Sequence, residues 1–230
     1  MADGPHGAAG TPIILSWSGG KDSALALAEL LRTDEFEPVA LLTSVTREYD
    51  RISVHGVRRA LLEAQAQSVG LPLVEISLDP NSSNEAYEAA FHKALDAIRV
   101  RWPFVKHIAF GDLFLEDVRA YRERLLAGSG FDPVFPIWGR NTSDLAREFI
   151  ALGFSARLVC VDTTQLDASF AGREFDSSLL ADLPRSTDPC GERGEFHTFV
   201  SGGPIFNAPI ACDIGERVLR ESRFMYCDLL

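Results

Sequence analysis

The sequence predicts an α/β fold, with a parallel, Rossmann-like sheet followed by a smaller mixed α+β lobe at its C-terminal end. Over the first 130 residues, apolar runs alternate with amphipathic segments of about 10–17 residues, a pattern typical of crossover units. The runs are continuously apolar, which indicates strands covered on both faces, as in parallel sheets. A glycine-rich loop follows the first run, and the regular alternation ends near residue 130.

The first half of the chain predicts four strands and four helices in alternation. Apolar residues at helix-like spacing, such as Leu27, Leu30 and Leu31, identify the helices. Ser82 or Ser83 is placed to cap the third helix. The strands are expected at 12–17, 39–45, 73–78 and 107–110, and the helices at 24–31, 55–69, 84–100 and 116–126.

The second half is less regular and rich in proline, glycine and aromatic residues. A helix over 142–152, capped by Asn141 or Ser143, precedes a strand over 154–161 and a helix over 174–183. The segment 217–230 is expected to form one antiparallel strand with a hairpin partner at 196–200. We therefore divide the chain into a disordered tail (1–11), a nucleotide-type α/β domain (12–130) and a smaller mixed C-terminal lobe (131–230).

Composition narrows the function classes. The 230 residues include 22 basic and 33 acidic side chains, a net charge of −11. This excess argues against nucleic acid or an anionic membrane as a partner, since both attract clustered Lys and Arg. The sequence has no signal-peptide pattern, no apolar stretch of roughly 18 residues and no Cys-x-x-Cys pair. We expect reduced thiols and a cytoplasmic location.

The loop Ser18-Gly19-Gly20-Lys21-Asp22-Ser23 joins the first strand to the first helix. Glycines let an anion approach backbone amides, and the helix N-terminus, the serine hydroxyls and Lys21 favour phosphate oxygens. Asp22 would either cap the helix or help to hold Mg²⁺. The spacing differs from the Walker loop, which places Ser or Thr directly after Lys. The alternative is a glycine-rich turn with no ligand.

This loop resembles that of the ATP-pyrophosphatase class, which has the adenine nucleotide alpha hydrolase-like fold. The resemblance implies ATP as substrate, split between its α and β phosphates, with Mg²⁺ as cofactor. Because the loop lies at a strand's carboxyl end, its position agrees with a nucleotide site.

Three further segments, together with the loop, resemble the diphthine–ammonia ligase family over residues 12–230. They are Asp50 to Arg58, Phe110 to Asp117, and Asp188 to Phe199. The resemblance implies an amide ligase that uses ATP and ammonium, with diphthine on elongation factor 2 as acceptor in the eukaryotic and archaeal branch. The Asp-Pro-Cys-Gly run before Glu192 and the presence of His197 resemble the bacterial branch. Bacteria lack diphthamide, so a small carboxylated metabolite becomes the expected acceptor there.

Candidate catalytic residues are Lys21, Asp112, Glu192, Glu195 and His197. Asp112 ends a strand and could hold Mg²⁺ or orient the acceptor, or it could cap the next helix. Glu192 and Glu195 lie in a glycine-flanked loop, where they could hold a cation such as ammonium or remain solvated. His197 is a base, a substrate contact or a structural residue.

Other residues extend the nucleotide site. His55 and Gly111 are expected to line it, although His55 could equally be an ordinary helix-start residue. Asp22 and Asp112 are the candidate metal ligands. Trp138 either forms an aromatic wall for the acceptor or packs in the core.

The preferred function is an ATP-dependent carboxylate–ammonia ligase that releases AMP and pyrophosphate. Its expected partners are ammonium and a carboxylate acceptor, either a small metabolite or a modified protein side chain; a homodimer is a further hypothesis. One alternative is a non-catalytic adenine-nucleotide sensor. Another is a tRNA-modifying thiolase, which would need a sulfur-handling cysteine pair and a basic surface.

Overall fold

A computed structural model describes residues 10–48, 51–52, 56–80 and 82–230. These residues form two sheets, with helices packed mainly around the first. In chain order the elements are β1 (Thr11–Ser16), α1 (Lys21–Thr33), β2 (Phe36–Thr46), β3 (Arg51–Ile52), α2 (Arg59–Val69), β4 (Leu73–Leu78), α3 (Asn84–Arg101), β5 (His107–Ala109), α4 (Glu116–Leu126), β6 (Asp132–Val134), α5 (Thr142–Ala151), β7 (Ser155–Asp162), a 3₁₀ turn (Ala168–Phe170), α6 (Ser177–Asp182), β8 (Phe196–Gly202), β9 (Ile214–Arg220) and β10 (Phe224–Leu229).

The first sheet is parallel and has β1 at its centre. Strand β2 pairs with one side of β1 and β5 with the other, while β4 and β6 extend the sheet outward. The resulting order is β4-β2-β1-β5-β6, and the short β3 runs antiparallel along the end of β2. From β1 the chain adds strands on one side (β2, then β4) and afterwards on the other side (β5, then β6). The strand order therefore reverses at the boundary between β1 and β5. In open α/β sheets, ligands bind beyond the strand carboxyl ends at such a reversal.

Two hydrophobic clusters cover the faces of the parallel sheet. Consecutive residues of a strand point to opposite faces, so Ile13 and Leu15 join one cluster and Ile14 joins the other. The first cluster contains α1, α2 and the inner face of the C-terminal sheet. The second contains α3 and α4. The core on the first face is thus shared by both parts of the chain.

The second sheet is antiparallel, in the order β8-β7-β10-β9. The prediction of one strand over 217–230 was wrong, because β9 and β10 form a hairpin with each other. The predicted hairpin partner at 196–200 is β8, and it pairs with β7 instead of with β10. The sequence does not mark the turn between β9 and β10, because Glu221 and Ser222 take φ values of 53° and 52° and no glycine is present there.

The predicted fold class is confirmed, with a Rossmann-like parallel sheet and a separate C-terminal sheet. Ser83 caps α3 and Asn141 caps α5, both through their side chains. Helix α2 begins at Arg59, later than the predicted residue 55. Strand β6 pairs with β5, so the parallel sheet continues past residue 130.

Two further predictions concern the disordered tail and membrane-spanning segments. Most of the expected tail, residues 1–9, lies outside the described residues, and Thr11 already belongs to β1. Among the residues that the structure describes, no helix has the length and apolar character needed to span a bilayer.

Candidate active site

A cavity of about 550 Å³ opens at the carboxyl edge of the parallel sheet. It lies between the end of β1, the start of α1, the loop after β5 and the loop that leads into β8. This volume is within the range that protein sites for small ligands usually show. Of the residues predicted for the site, those that line the cavity are Ser18, Gly20, Lys21, Asp22, Ser23, Gly111, Asp112, Glu192 and His197.

The phosphate loop, residues 18–23, turns back sharply at Gly19. Gly19 has a φ of +76°, and a Cβ there would lie 2.6 Å from the Oε1 atom of Gln65. Both the backbone angle and the close approach therefore require glycine. The Gly19 carbonyl accepts hydrogen bonds from the Val200 amide at 2.9 Å and from Gln65 Nε2 at 3.0 Å.

Two serines close the loop on itself. The Gly20 amide donates to Ser18 Oγ at 3.2 Å, and the Ser23 hydroxyl donates to the Gly20 carbonyl at 2.9 Å. The two hydroxyl oxygens are 3.3 Å apart. These contacts hold both hydroxyls at the cavity wall, next to the first turn of α1.

Lys21 is buried, with 2% of its side chain exposed, and its Nζ lies 2.8 Å from both carboxylate oxygens of Asp22. Burial alone would lower the pKa of Lys21, but its neighbours, chiefly the charge and hydrogen bond of Asp22, outweigh burial and raise that pKa. Lys21 is therefore a fixed positive charge at neutral pH. Asp22 does not cap α1, whose N-cap residue is Gly20 and has no side-chain hydrogen bond.

The loop after β5 lies directly against the phosphate loop. A Cβ on Gly111 would be 2.9 Å from the backbone of Asp22, so glycine is needed for this approach. Asp112 accepts a hydrogen bond from Arg122 Nε at 3.3 Å and does not cap α4, whose N-cap is Leu115. Arg122 lines the cavity too, and brings a second cation to it.

The two glutamates of the late motif have different surroundings. Glu192 lines the cavity and accepts the Leu113 amide at 2.9 Å. Burial, with Asp22 and Asp112 nearby, raises the pKa of Glu192 to about 7. Glu195 is 2% exposed, does not line the described cavity, and accepts the amides of Asp188 and Arg193 at 2.8 and 2.9 Å. These bonds hold the loop in its conformation and direct the Glu195 carboxylate at backbone amides of the loop.

His197 lines the cavity from β8. Burial, and to a smaller extent Lys21, lower the pKa of His197 to about 4, so the imidazole is neutral at physiological pH. Cys190 lies nearby with its thiol directed at the Thr142 carbonyl, and burial raises its pKa to about 12. A thiol with this pKa is a poor nucleophile.

Two further predicted residues are not placed at the site. His55 lies outside the described residues. Trp138 is half-buried beside Phe135 and Arg119, with the Arg119 guanidinium 4.9 Å from its ring centre, and it does not line the described part of the cavity.

The structure also adds residues that the sequence did not single out. Thr43 lines the cavity from β2, and its buried Oγ1 has no hydrogen-bond partner within the described part of the chain. Gln65 is fully buried beneath the phosphate loop. A sequence signal for Gln65 exists, because it follows Leu61 and Leu62 on the apolar face of α2.

The cavity's residues fit a magnesium–nucleotide complex. Backbone amides of the first helical turn, two hydroxyls and the Lys21 ammonium converge at one end, as a polyphosphate requires. Within the described residues, no group of three metal-ligating side chains comes together. Magnesium commonly binds through one or two carboxylates, phosphate oxygens and water, and Asp22 and Asp112 offer such carboxylates.

Comparisons with known proteins decide the family. The model of the diphthamide synthase N-terminal domain matches residues 11–133, and that of the diphthamide synthase C-terminal domain matches residues 141–228. The chain belongs to the diphthamide synthase family. The predicted family is thereby confirmed. The two matched regions are separated by residues 134–140, an interval that begins at the last residue of β6, where the parallel sheet ends.

Members of this family with curated names are similar to most of this chain, and the vertebrate members are similar along most of their own length as well. The diphthine–ammonia ligase of Homo sapiens is 24% identical over 224 residues, which cover 89% of this chain and 84% of that protein. The diphthine–ammonia ligase of Danio rerio is also 24% identical, over 88% of this chain and 86% of its own. That of Schizosaccharomyces pombe is 22% identical, over 89% of this chain and 36% of its own. These names support a ligase.

Proposed function

We propose that the protein is an ATP-dependent carboxylate–ammonia ligase that releases AMP and pyrophosphate. One observation carries the proposal: the phosphate loop and the late-motif residues Glu192 and His197 line the same cavity. A polyphosphate bound at the loop would therefore face groups from the C-terminal lobe. The names of the relatives support the same chemistry.

In the proposed reaction, an oxygen of the acceptor carboxylate attacks the α-phosphorus of ATP. The bond between the α-phosphorus and the bridging oxygen breaks, and pyrophosphate leaves with that electron pair. Ammonia then attacks the acyl carbon, AMP departs, and the nitrogen loses a proton to give the amide. Neither step needs a covalent bond to the protein, which agrees with the high pKa of the Cys190 thiol.

Each residue has a role in this scheme. Lys21 and the α1 N-terminus would stabilise the charge that develops on the leaving pyrophosphate. Asp22 and Asp112 would hold Mg²⁺, which screens the phosphates. Glu192, with a pKa of about 7, would accept a proton from ammonium, because its affinity for a proton is balanced near neutral pH.

The test is an assay with ATP, Mg²⁺, nitrogen-15 ammonium and a panel of acceptors. The panel contains small carboxylic acids and elongation factor 2 that carries diphthine. We expect AMP and pyrophosphate to be released only in the presence of the correct acceptor from the panel. We expect the amide product of that acceptor to contain nitrogen-15. Release of ADP and orthophosphate would contradict the mechanism. Tight ATP binding with no acceptor-dependent AMP across the panel would favour the nucleotide sensor.

The thiolase alternative has less support. The described cysteines are all unpaired by disulfides, and Cys160, Cys190 and Cys227 are buried. Burial raises the pKa of each of these three thiols, which disfavours sulfur transfer. Steeply salt-dependent binding of tRNA would revive that alternative.

A further inference from the structure

The underside of the phosphate loop makes an unusual set of contacts with a distant part of the chain. Gln65 of α2 is 0% exposed and uses both ends of its amide. Its Oε1 accepts the Trp17 indole N–H at 3.0 Å, while its Nε2 donates to the Gly19 carbonyl at 3.0 Å and to the Val200 carbonyl at 2.6 Å. One side chain therefore links the loop, α2 and β8.

Strand β8 also holds the loop directly. The Val200 amide donates to the Gly19 carbonyl at 2.9 Å, and the Lys21 amide donates to Thr198 Oγ1 at 3.0 Å. Thr198 is 3% exposed. The loop is thus bonded to β8 on both sides of Gly20.

These contacts determine which loop amides remain available to a ligand. The first four N–H groups of a helix have no partner inside the helix. In α1, the N–H of Lys21 donates to Thr198 Oγ1, and the N–H of Ala24 donates to the Gly20 carbonyl. Within the described part of the chain, the N–H groups of Asp22 and Ser23 have no assigned acceptor, and both residues line the cavity. Without Gln65 the Gly19 carbonyl would keep only its bond from the Val200 amide, and without Thr198 the Lys21 amide would lose its acceptor.

We propose that Gln65 and Thr198 are positioning residues that bind the phosphate loop to β8 and so set its affinity for a polyphosphate. The inference rests on the proposed nucleotide site. It adds that the C-terminal sheet holds the phosphate loop in its binding shape, besides supplying groups for the acceptor. Gln65 does not line the described cavity, so a change there reaches a nucleotide only through the loop. Thr198 lines the cavity, so Gln65 gives the decisive test of positioning and Thr198 supports it.

The experiment measures binding of two probes by calorimetry, in Mg²⁺, to the full-length protein. The first probe is α,β-methylene-ATP, which cannot be cleaved between its α and β phosphates, and the second is AMP, which lacks the β and γ phosphates. For Gln65→Met and Thr198→Val, we expect the affinity for the first probe to fall by about tenfold, since buried hydrogen bonds are lost. AMP affinity should change by less than about twofold.

Matched variants separate positioning from general loss of stability. Thr198→Ser keeps the hydroxyl and should restore the affinity for α,β-methylene-ATP. Gln67→Met is the control for Gln65→Met, because it changes an exposed glutamine of the same helix, and it should leave both affinities unchanged. Ile98→Ala, in the second hydrophobic cluster, lowers stability without touching the loop and should leave both affinities unchanged.

The outcomes distinguish this inference from the proposed function. If the unmodified protein does not bind α,β-methylene-ATP, the nucleotide site itself is wrong, and the inference falls with it. If the unmodified protein binds and both positioning variants bind equally well, only the inference is overturned. An equal loss for both probes, or a loss in Ile98→Ala of the same size, would also overturn it. If one variant does not fold, the other variant and its control decide.

Discussion

The cavity has two walls that carry different charges. One wall comes from the parallel-sheet part of the chain, and the other comes from β8 and the loop before it. On the parallel-sheet wall the charges are paired, Lys21 with Asp22 at 2.8 Å and Arg122 with Asp112 at 3.3 Å. On the wall from the C-terminal lobe, Glu192 accepts a backbone amide, and His197 is neutral because burial lowers its pKa to about 4. The first wall thus carries two ion pairs, and the second carries a neutral imidazole and one carboxyl group, Glu192, that titrates near neutral pH.

This difference indicates separate tasks for the two walls. An ion pair can exchange its partner for a phosphate group or a metal ion when an anionic substrate enters. A carboxyl group with a pKa of about 7, like that of Glu192, can take up or release a proton near neutral pH. In the proposed reaction, the parallel-sheet wall would therefore hold the nucleotide, and Glu192 of the C-terminal lobe would exchange a proton with ammonium.

Lys21→Met should produce the largest effect, because it removes the buried cation and leaves the Asp22 carboxylate beside the polyphosphate. We expect the Kd for α,β-methylene-ATP to rise about 100-fold, measured by calorimetry in Mg²⁺. Lys93→Met, at an exposed position of α3, is the control and should not change the Kd. An unchanged Kd for Lys21→Met would remove the nucleotide role from the parallel-sheet wall.

Gly19→Ala tests the place where the two walls meet. Gly128 offers a matched control, since its φ of +75° nearly equals the +76° of Gly19 but a Cβ there would meet nothing within 4 Å. Both substitutions force alanine into the left-handed region, but only Gly19→Ala drives a methyl group against Gln65. We expect Gly19→Ala to lower the free energy of unfolding by about 2 kcal/mol more than Gly128→Ala, measured with urea. Equal losses would mean that the loop can move away from Gln65.

Glu192→Gln should have the smallest effect, and a pH-dependent one. Folding raises the pKa of Glu192 from 4.5 to about 7, so its ionisation costs stability as the pH rises through that interval. Glutamine keeps an oxygen for the Leu113 amide and cannot ionise. At pH 8 we expect the variant to be more stable than the unmodified protein by about 1–2 kcal/mol, and at pH 4 to be equally stable.

Thermal unfolding across this pH range measures the effect. Glu37→Gln, at an exposed position of β2, should show no such dependence. A Glu192→Gln variant that is less stable at pH 8 would show that the carboxylate is stabilised by its surroundings, which would contradict its assignment to a proton-exchanging wall.

The sequence was sufficient for four strands of the parallel sheet and for its loop, because a short stretch of residues defines each of them, but it did not predict the short β6. Six consecutive residues, 18–23, define the phosphate loop, and continuous apolar runs such as 12–17 define buried strands. The β9–β10 turn was missed because Glu221 and Ser222 adopt left-handed angles that are usually marked by glycine or asparagine. Their conformation depends on the pairing of β9 with β10 and overrides the local preference.

The supporting contacts of the loop could not be predicted in the same way. Gln65 and Val200 are 135 residues apart, and Lys21 and Thr198 are 177 apart, so no local pattern connects them. Glu195 was predicted at the site from its motif alone, but in the fold its carboxylate turns to the amides of Asp188 and Arg193. Which carboxylate of a loop faces a cavity depends on tertiary packing, which a motif does not encode.

The bonds between the loop and β8 have a consequence during synthesis of the chain. A ribosome releases the parallel sheet well before Thr198 and Val200 exist, so the nascent N-terminal domain carries a loop without its final hydrogen bonds. Contacts across so many residues also slow the last stage of folding, because a long stretch of chain must close first. If the proposed nucleotide site is right, its affinity would therefore arise only after β8 has been made and has paired with the loop.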